Sequence, residues 1–251
     1  MTSKIMQHKK RSAMLFMTGK IILKLRILGL SIVILIFTFL IFNSANAAPQ
    51  FLVSWKADSY VPSWYQGKVL PSRGTPITVS FEIVDGGRTA NLSGTAVRWY
   101  INDKLVRNET SGLGIQSISF AIPDYGGQET EVRIAIPNYR GSELNQIVRI
   151  PVKNPEVVID GKFMKTPIKT GDNAFHAIPF FFNVESLADL GFDWTANGQD
   201  AKVDTATPWN LNLNVDENAG EGFFINLQVV VRNFLDQLEF GSREIQLEVR
   251  K

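Results

Sequence analysis

The chain has 251 residues, 45% of them hydrophobic and 11% aromatic, which is enough apolar material for more than one core. It contains no cysteine, so a disulfide framework and a thiolate metal site are both excluded. The formal charge of +2 is unevenly spread, because Lys4, Lys9, Lys10, Arg11, Lys20, Lys24 and Arg26 precede residue 48 without a single acid among them. The remainder is net acidic and shows no basic stripe interleaved with aromatics, which argues against a nucleic-acid partner.

Residues 27–42, ILGLSIVILIFTFLIF, form an uncharged apolar run behind this basic segment, and Asn43-Ser44-Ala45-Asn46-Ala47 follows it. That order predicts a secretory signal over residues 1–47, with Ala45 and Ala47 as the small residues of a cleavage site. The alternative is an uncleaved membrane anchor, although a helix of this run would be only about 24 Å long against a hydrocarbon core of about 30 Å. Translation from Met14 or Met17 would give the basic region a length more usual for a signal. In either case the basic flank stays on the cytoplasmic side and everything from Ala48 is exported to the cell envelope, attached to the membrane or secreted.

From Ala48 to Lys153 the pattern is that of short strands. Phe51 to Trp55 predicts the first, and Pro62, Gly67, Pro71, Gly74 and Pro76 break the chain into a loop. Ile77, Val79, Phe81 and Ile83 alternate in the next, which ends at Asp85-Gly86-Gly87. Val97 and Trp99 share one face of a further strand, and Asn102-Asp103 signals a tight turn. Ile118, Phe120 and Ile122 precede another turn at Pro123 to Gly127. Glu131 to Val152 then reads as a hairpin, with Val132, Ile134 and Ile136 answered by Val148, Ile150 and Val152 across Pro137, Asn138 and Gly141. Seven short strands with breakers at this spacing predict an antiparallel β-sandwich.

The strand carrying Trp99, followed by Val132 to Asn138 and the Asn138-Tyr139-Arg140-Gly141 turn, resembles an immunoglobulin-like domain. The resemblance implies a Trp packed across the two sheets and a hairpin formed by the last two strands. The family's inter-sheet disulfide is absent, so the likeness is to the bacterial immunoglobulin-like, fibronectin-like and PKD-like relatives.

Asn154-Pro155 predicts a short joint, and residues 154–251 repeat the order. Phe180, Phe182 and Val184 take the phase of Val79, Phe81 and Ile83. Phe192 to Gly198 aligns without a gap on Val97 to Asp103, pairing Trp194 with Trp99. Ile225, Leu227, Val229 and Val231, with Ile245, Leu247 and Val249, repeat the closing hairpin. The expected fold is all-β, two tandem seven-stranded immunoglobulin-like sandwiches spanning 48–153 and 154–251, each with a buried Trp in its core.

Chemistry-bearing residues are few. His176 is the single histidine after the apolar run and lacks an identifiable nucleophile or acid partner, so it reads as a polar residue at a strand edge. Asp216, Glu217 and Glu221 form an acidic turn, a weak calcium candidate without EF-hand spacing. Trp64 and Tyr65 in the first loop either cap the core or, if exposed, contact a sugar or a protein partner. No catalytic residue and no cofactor is implied.

These readings predict a non-enzymatic envelope or surface protein serving adhesion, spacing or assembly of a surface structure, with a protein or polysaccharide partner and with membrane contact only through the amino-terminal segment. A periplasmic pilus-type chaperone is the second reading. That family lends a strand from a long apolar loop between the last two strands of its first domain, whereas Asn138 to Leu144 here is short and polar. A carbohydrate-binding accessory module is the third, and a hydrolase, without an acid-base pair, is the fourth.

Overall fold

The computed structural model describes residues 30–32, 35, 48–161, 167–220 and 222–250. Most of the apolar run 27–42, Ala45 and Ala47 of the expected cleavage site, and Glu221 lie outside the described residues; Leu30 to Ile32 and Leu35 are helical. Among the described residues no helix is long and apolar enough to cross a membrane.

Among the described residues, the chain from Gln50 onward is dominated by strands that pair in four sheets, with one short 3-10 turn at Leu187–Asp189. In the first sandwich, β1 (Gln50–Ala57), β2 (Pro76–Asp85) and β3 (Arg88–Thr89) form one sheet, with β6 (Ser117–Ala121) also paired to β2. The opposing sheet runs β5 (Lys104–Glu109), β4 (Val97–Ile101), β7 (Glu129–Tyr139), β8 (Ser142–Pro151). The two-residue β3 is one strand more than the sequence pattern announces. Strand alternation sends Ile77, Val79, Phe81 and Ile83 of β2 inward against Val97, Trp99, Val132, Ile134 and Ile136. Trp99 is 0% exposed, its ring 5.5 Å from that of Phe81, and its indole Nε1 donates to the Ile115 carbonyl at 3.1 Å. A buried indole N–H left without an acceptor would cost about 1–3 kcal/mol, so this bond lets the ring lie fully inside.

The second sandwich repeats the plan. One sheet is β9 (Glu156–Gly161), β10 (Gly171–Phe180), β13 (Asn210–Val215), and the other is β12 (Gln199–Asp200), β11 (Leu190–Ala196), β14 (Phe224–Asn233), β15 (Phe240–Glu248). Trp194 is buried among Phe175, Phe192, Leu211, Leu227 and Val229, and its Nε1 donates to the Pro208 carbonyl at 3.0 Å. Each sandwich has its own core, and from Phe51 onward, apart from the turn Asp85–Arg88, both fall within one compact unit.

The likeness of the copies reaches single bonds. Asn102, at φ 47°, donates its backbone N–H to Glu131 and accepts the Glu131 N–H on its side chain, each at 2.9 Å. Asn197, at φ 50°, does the same with Asn226 at 2.8 Å. Asn tolerates the left-handed conformation and carries a side-chain acceptor, and both properties are used here.

Two sequence expectations are adjusted. The turn of the first hairpin is only Arg140-Gly141, both at positive φ, with Tyr139 and Ser142 paired across it. Strand β7 continues through Pro137, where the missing N–H accompanies a register break between Ile136 and Tyr139. In the second sandwich the inward residues of β10 are Asn173, Phe175, Ala177 and Pro179. Phe182 and Val184 join the core from beyond the strand, because Phe181 at φ 63° ends the regular ladder.

Candidate functional site

Three surfaces are candidates: the junction between the sandwiches, the tip of the β14–β15 hairpin beside it, and a polar cleft on the β9–β10–β13 face.

At the junction, Tyr60 and Phe182 form an antiparallel bridge in which the Tyr60 N–H donates to Phe182 and the Phe181 N–H to Tyr60, both at 2.7 Å. Beside it, Glu239 is only 8% exposed, and its Oε1 accepts from the Ser72 hydroxyl at 2.8 Å and the Asn183 N–H at 2.9 Å. Its Oε2 accepts from the Asn233 amide at 2.7 Å. Ser72 is itself positioned by Thr75, whose hydroxyl oxygen accepts the Ser72 N–H at 3.0 Å and also meets Ser59. The joint is short: Lys153 donates its N–H to Pro71 at 2.8 Å, and a Cβ on Gly126 would stand 2.5 Å from the Asn154 nitrogen. Burial raises the Tyr60 phenol above its ordinary value, since removal from water disfavours the phenolate.

Trp64 and Tyr65 lie at this junction. Tyr65 meets Phe180 and Phe181 edge-on at centroid distances of 5.6 and 6.1 Å, and Trp64 meets Phe180 at 6.0 Å. Trp64 is nonetheless 62% exposed, so the loop grips the second sandwich with one side and shows the indole to solvent with the other.

The hairpin tip that supplies Glu239 was not singled out in the sequence. Phe234, Leu235, Leu238 and Phe240 are all exposed, the two leucines at 84%. The loop carrying them is tied down at several points. Phe234 donates its N–H to Asp189 at 3.0 Å, Leu235 to the Asn233 side chain at 2.8 Å, and Leu238 to the Asp236 side chain at 3.0 Å. The Phe234 ring lies over Gly191, where a Cβ would come within 3.0 Å of it. A signal was present in the sequence: four large apolar residues interrupt the alternation where a hairpin turn should be polar.

His176 is on β10, opposite Asp160 of β9 and Asn210 of β13. Its Nδ1 is hydrogen-bonded to the Asn210 side-chain oxygen. These residues line an open cleft of about 700 Å³ that also includes Lys202, Asp204 and Thr207.

Asp216 and Glu217 sit in the turn after β13. The Asp216 carboxylate accepts from both the backbone and the side-chain nitrogen of Asn218, at 2.8 and 3.1 Å. Among the described residues, no group of three or more His, Asp or Glu side chains is placed to hold a metal ion.

Two stacked antiparallel sheets in each copy, joined in the same order around a buried Trp, define the chain as a tandem immunoglobulin-like β-sandwich protein. No protein-family profile and no curated protein matches the sequence. Among solved structures, the chain is similar to the fibronectin(III)-like modules of Clostridium thermocellum CbhA, at 14% identity, covering 79% of this chain and 94% of that one with a TM-score of 0.27. It is also similar to the three N-terminal domains of the bacteriophage RB49 highly immunogenic outer capsid protein, at 11% identity over 80% of this chain and 59% of that one, TM-score 0.41. A third is the N-terminal Ig1-2 module of the Drosophila receptor protein tyrosine phosphatase DLAR, at 14% identity over 81% and 99%, TM-score 0.25.

Proposed function

We propose that the protein is an exported, non-catalytic component of the cell envelope that serves assembly of a surface structure, holding a protein partner on the tip of the β14–β15 hairpin. Its parts are an export or anchor segment at 1–47 and two immunoglobulin-like domains at 48–153 and 154–251. The observation that carries this reading is the set Phe234, Leu235, Leu238 and Phe240, held in solvent by a loop whose backbone is tied down at Phe234, Leu235, Leu238 and Glu239. Rigidly presented apolar side chains lose little entropy on docking and gain burial, which is the economy of a contact surface rather than of a random loop. The basic-then-apolar order of residues 1–47 supports export. A strand-lending chaperone is disfavoured, because Tyr139 and Ser142 pair directly across a two-residue turn in the first sandwich.

The test is capture from an envelope fraction with the full-length protein and with a Leu235→Asp, Leu238→Asp variant. The proposal expects a defined protein to be retained by the first and lost by the second, with melting temperature unchanged. Equal retention, or retention of polysaccharide alone, overturns it. Fractionation with sequencing of the mature amino terminus tests export and distinguishes cleavage from anchoring.

A further inference from the structure

We propose that the cleft on the β9–β10–β13 face of the second sandwich is a binding site for a neutral oligosaccharide. The site begins with register. Strand β10 turns Phe175 and Ala177 into the core, so His176 faces outward between Asp160 on one neighbour and Asn210 on the other. Three polar side chains thus stand in one line across the sheet. One step along the same face the small Ala174 pairs with Asn212, and the missing bulk at Ala174 leaves the floor open.

The wall is preorganised. Residues 201–209 rise beside this line and are tied down at both ends: Ala201 donates its N–H to the Trp194 carbonyl at 2.9 Å, and Ala177 donates to Trp209 at 2.8 Å. The buried indole of Trp194 holds Pro208 from below at 3.0 Å, and Asp204 closes the turn by accepting the Ala206 N–H at 2.9 Å. Lys202 and Thr207 are therefore presented from a fixed support, which spares a ligand the cost of ordering them.

The first sandwich supplies an internal comparison. Its corresponding face has a smaller groove of about 490 Å³, and there the outward hydroxyls of Ser80 and Ser117 bond to each other at 2.9 Å, as do those of Thr78 and Ser119 at 2.8 Å. The architecture is satisfied by paired hydroxyls. Glu82 and Gln116 also line that groove, but no imidazole and no ammonium does, so the Asp160–His176–Asn210 row and Lys202 of the second copy are not required by the fold.

The lining selects the ligand. Two carboxylates against one ammonium disfavour a phosphate or other anion, and no set of three His, Asp or Glu among the described residues could hold a divalent cation. Carboxylate, amide, imidazole and hydroxyl together offer acceptors and donors side by side, which suits vicinal sugar hydroxyls that must both give and receive. Val203 and Ala174 provide apolar patches for the C–H face of a ring. The cleft volume falls within the roughly 300–1,000 Å³ of small-molecule sites. Without an aromatic platform binding is weak and exchange is fast.

The test is an NMR titration of the full-length protein in detergent with cellohexaose, maltohexaose, chitohexaose and mannohexaose, with inorganic phosphate as the anion probe. At least one oligosaccharide is expected to shift the His176 imidazole and the Asn210 and Asn212 side-chain amides saturably, while Ser80 and Ser117 stay still. An Asp160→Ala, Asn210→Ala variant is expected to weaken that binding by at least about ten-fold, two hydrogen-bonding side chains being lost, at an unchanged melting temperature. No shift with any of the four sugars, a response to phosphate alone, shifts confined to the Trp64 loop, or full binding by the variant overturns the proposal.

Discussion

The Ser72 hydroxyl of the first sandwich donates to the Glu239 carboxylate of the second at 2.8 Å, across 167 positions of sequence. Ser72 is 2% exposed and Glu239 8%, and a carboxylate so placed persists only because the Asn183 N–H and the Asn233 amide complete its hydrogen bonding. Among the described residues no buried side-chain nitrogen or oxygen is without a partner.

Removing this carboxylate should uncouple the sandwiches. Glu239→Ala leaves three donors without their acceptor and is expected to cost roughly 2–4 kcal/mol, with Glu239→Gln costing less because one oxygen remains. Urea unfolding followed by tryptophan fluorescence should show one transition in the parent and two in Glu239→Ala. A single unshifted transition in the variant would show that the junction does not couple them.

The two buried indoles are equivalent in role. Trp99→Ala and Trp194→Ala are each expected to lose about 3–5 kcal/mol, the usual range for deleting a large core aromatic. The measurement is the denaturant midpoint of each variant at unchanged slope. A neutral result at either position would contradict the packing described for that sandwich.

Asn102 and Asn197 should respond in the same direction, Asn102 the more strongly because its side-chain amide also donates to Asp124. Alanine removes the acceptor for the Glu131 or Asn226 N–H and is strained at positive φ, so each Asn→Ala is expected to cost about 1–2 kcal/mol. Asn→Gly keeps the conformation and should cost less than alanine at each site, although Asn102→Gly also loses the amide bonds to Asp124 at 2.8 and 3.0 Å. Matched thermal melts of the four variants check whether the two turns are energetic copies as well as geometric ones.

Tyr60 makes the junction sensitive to alkali. Its phenol is held neutral by burial, so the folded state keeps this proton at a pH where the unfolded chain has released it. The stability it contributes is complete below about pH 10 and declines as pH rises through the raised folded value. Tyr60→Phe should flatten the decline in that window, which urea midpoints across the alkaline range would reveal.

Strand identity and the turns were legible in the sequence because they depend on near neighbours. The alternation of Ile77, Val79, Phe81 and Ile83 predicts an inward face whatever lies opposite, and Asn102-Asp103 predicts a turn by its own side-chain chemistry. The gap-free match of Phe192 to Gly198 on Val97 to Asp103 shows the repeat from residue pattern alone. The phase of Phe180, Phe182 and Val184 was legible only in part, since the φ of Phe181 is reached where a distant strand segment at Tyr60 pairs with it.

The sequence by itself therefore determined the all-β class, the two-copy plan and the paired indoles, all of which follow from side-chain periodicity and local backbone preference. Only the tertiary structure decided that Glu239 is buried against Ser72, that Phe234, Leu235 and Leu238 stand outward, and that Asp160, His176 and Asn210 form one row. Those facts depend on which strands become neighbours and in what register. Register is a property of the assembled sheet, set by many weak pairings at once, and no single stretch of chain contains it.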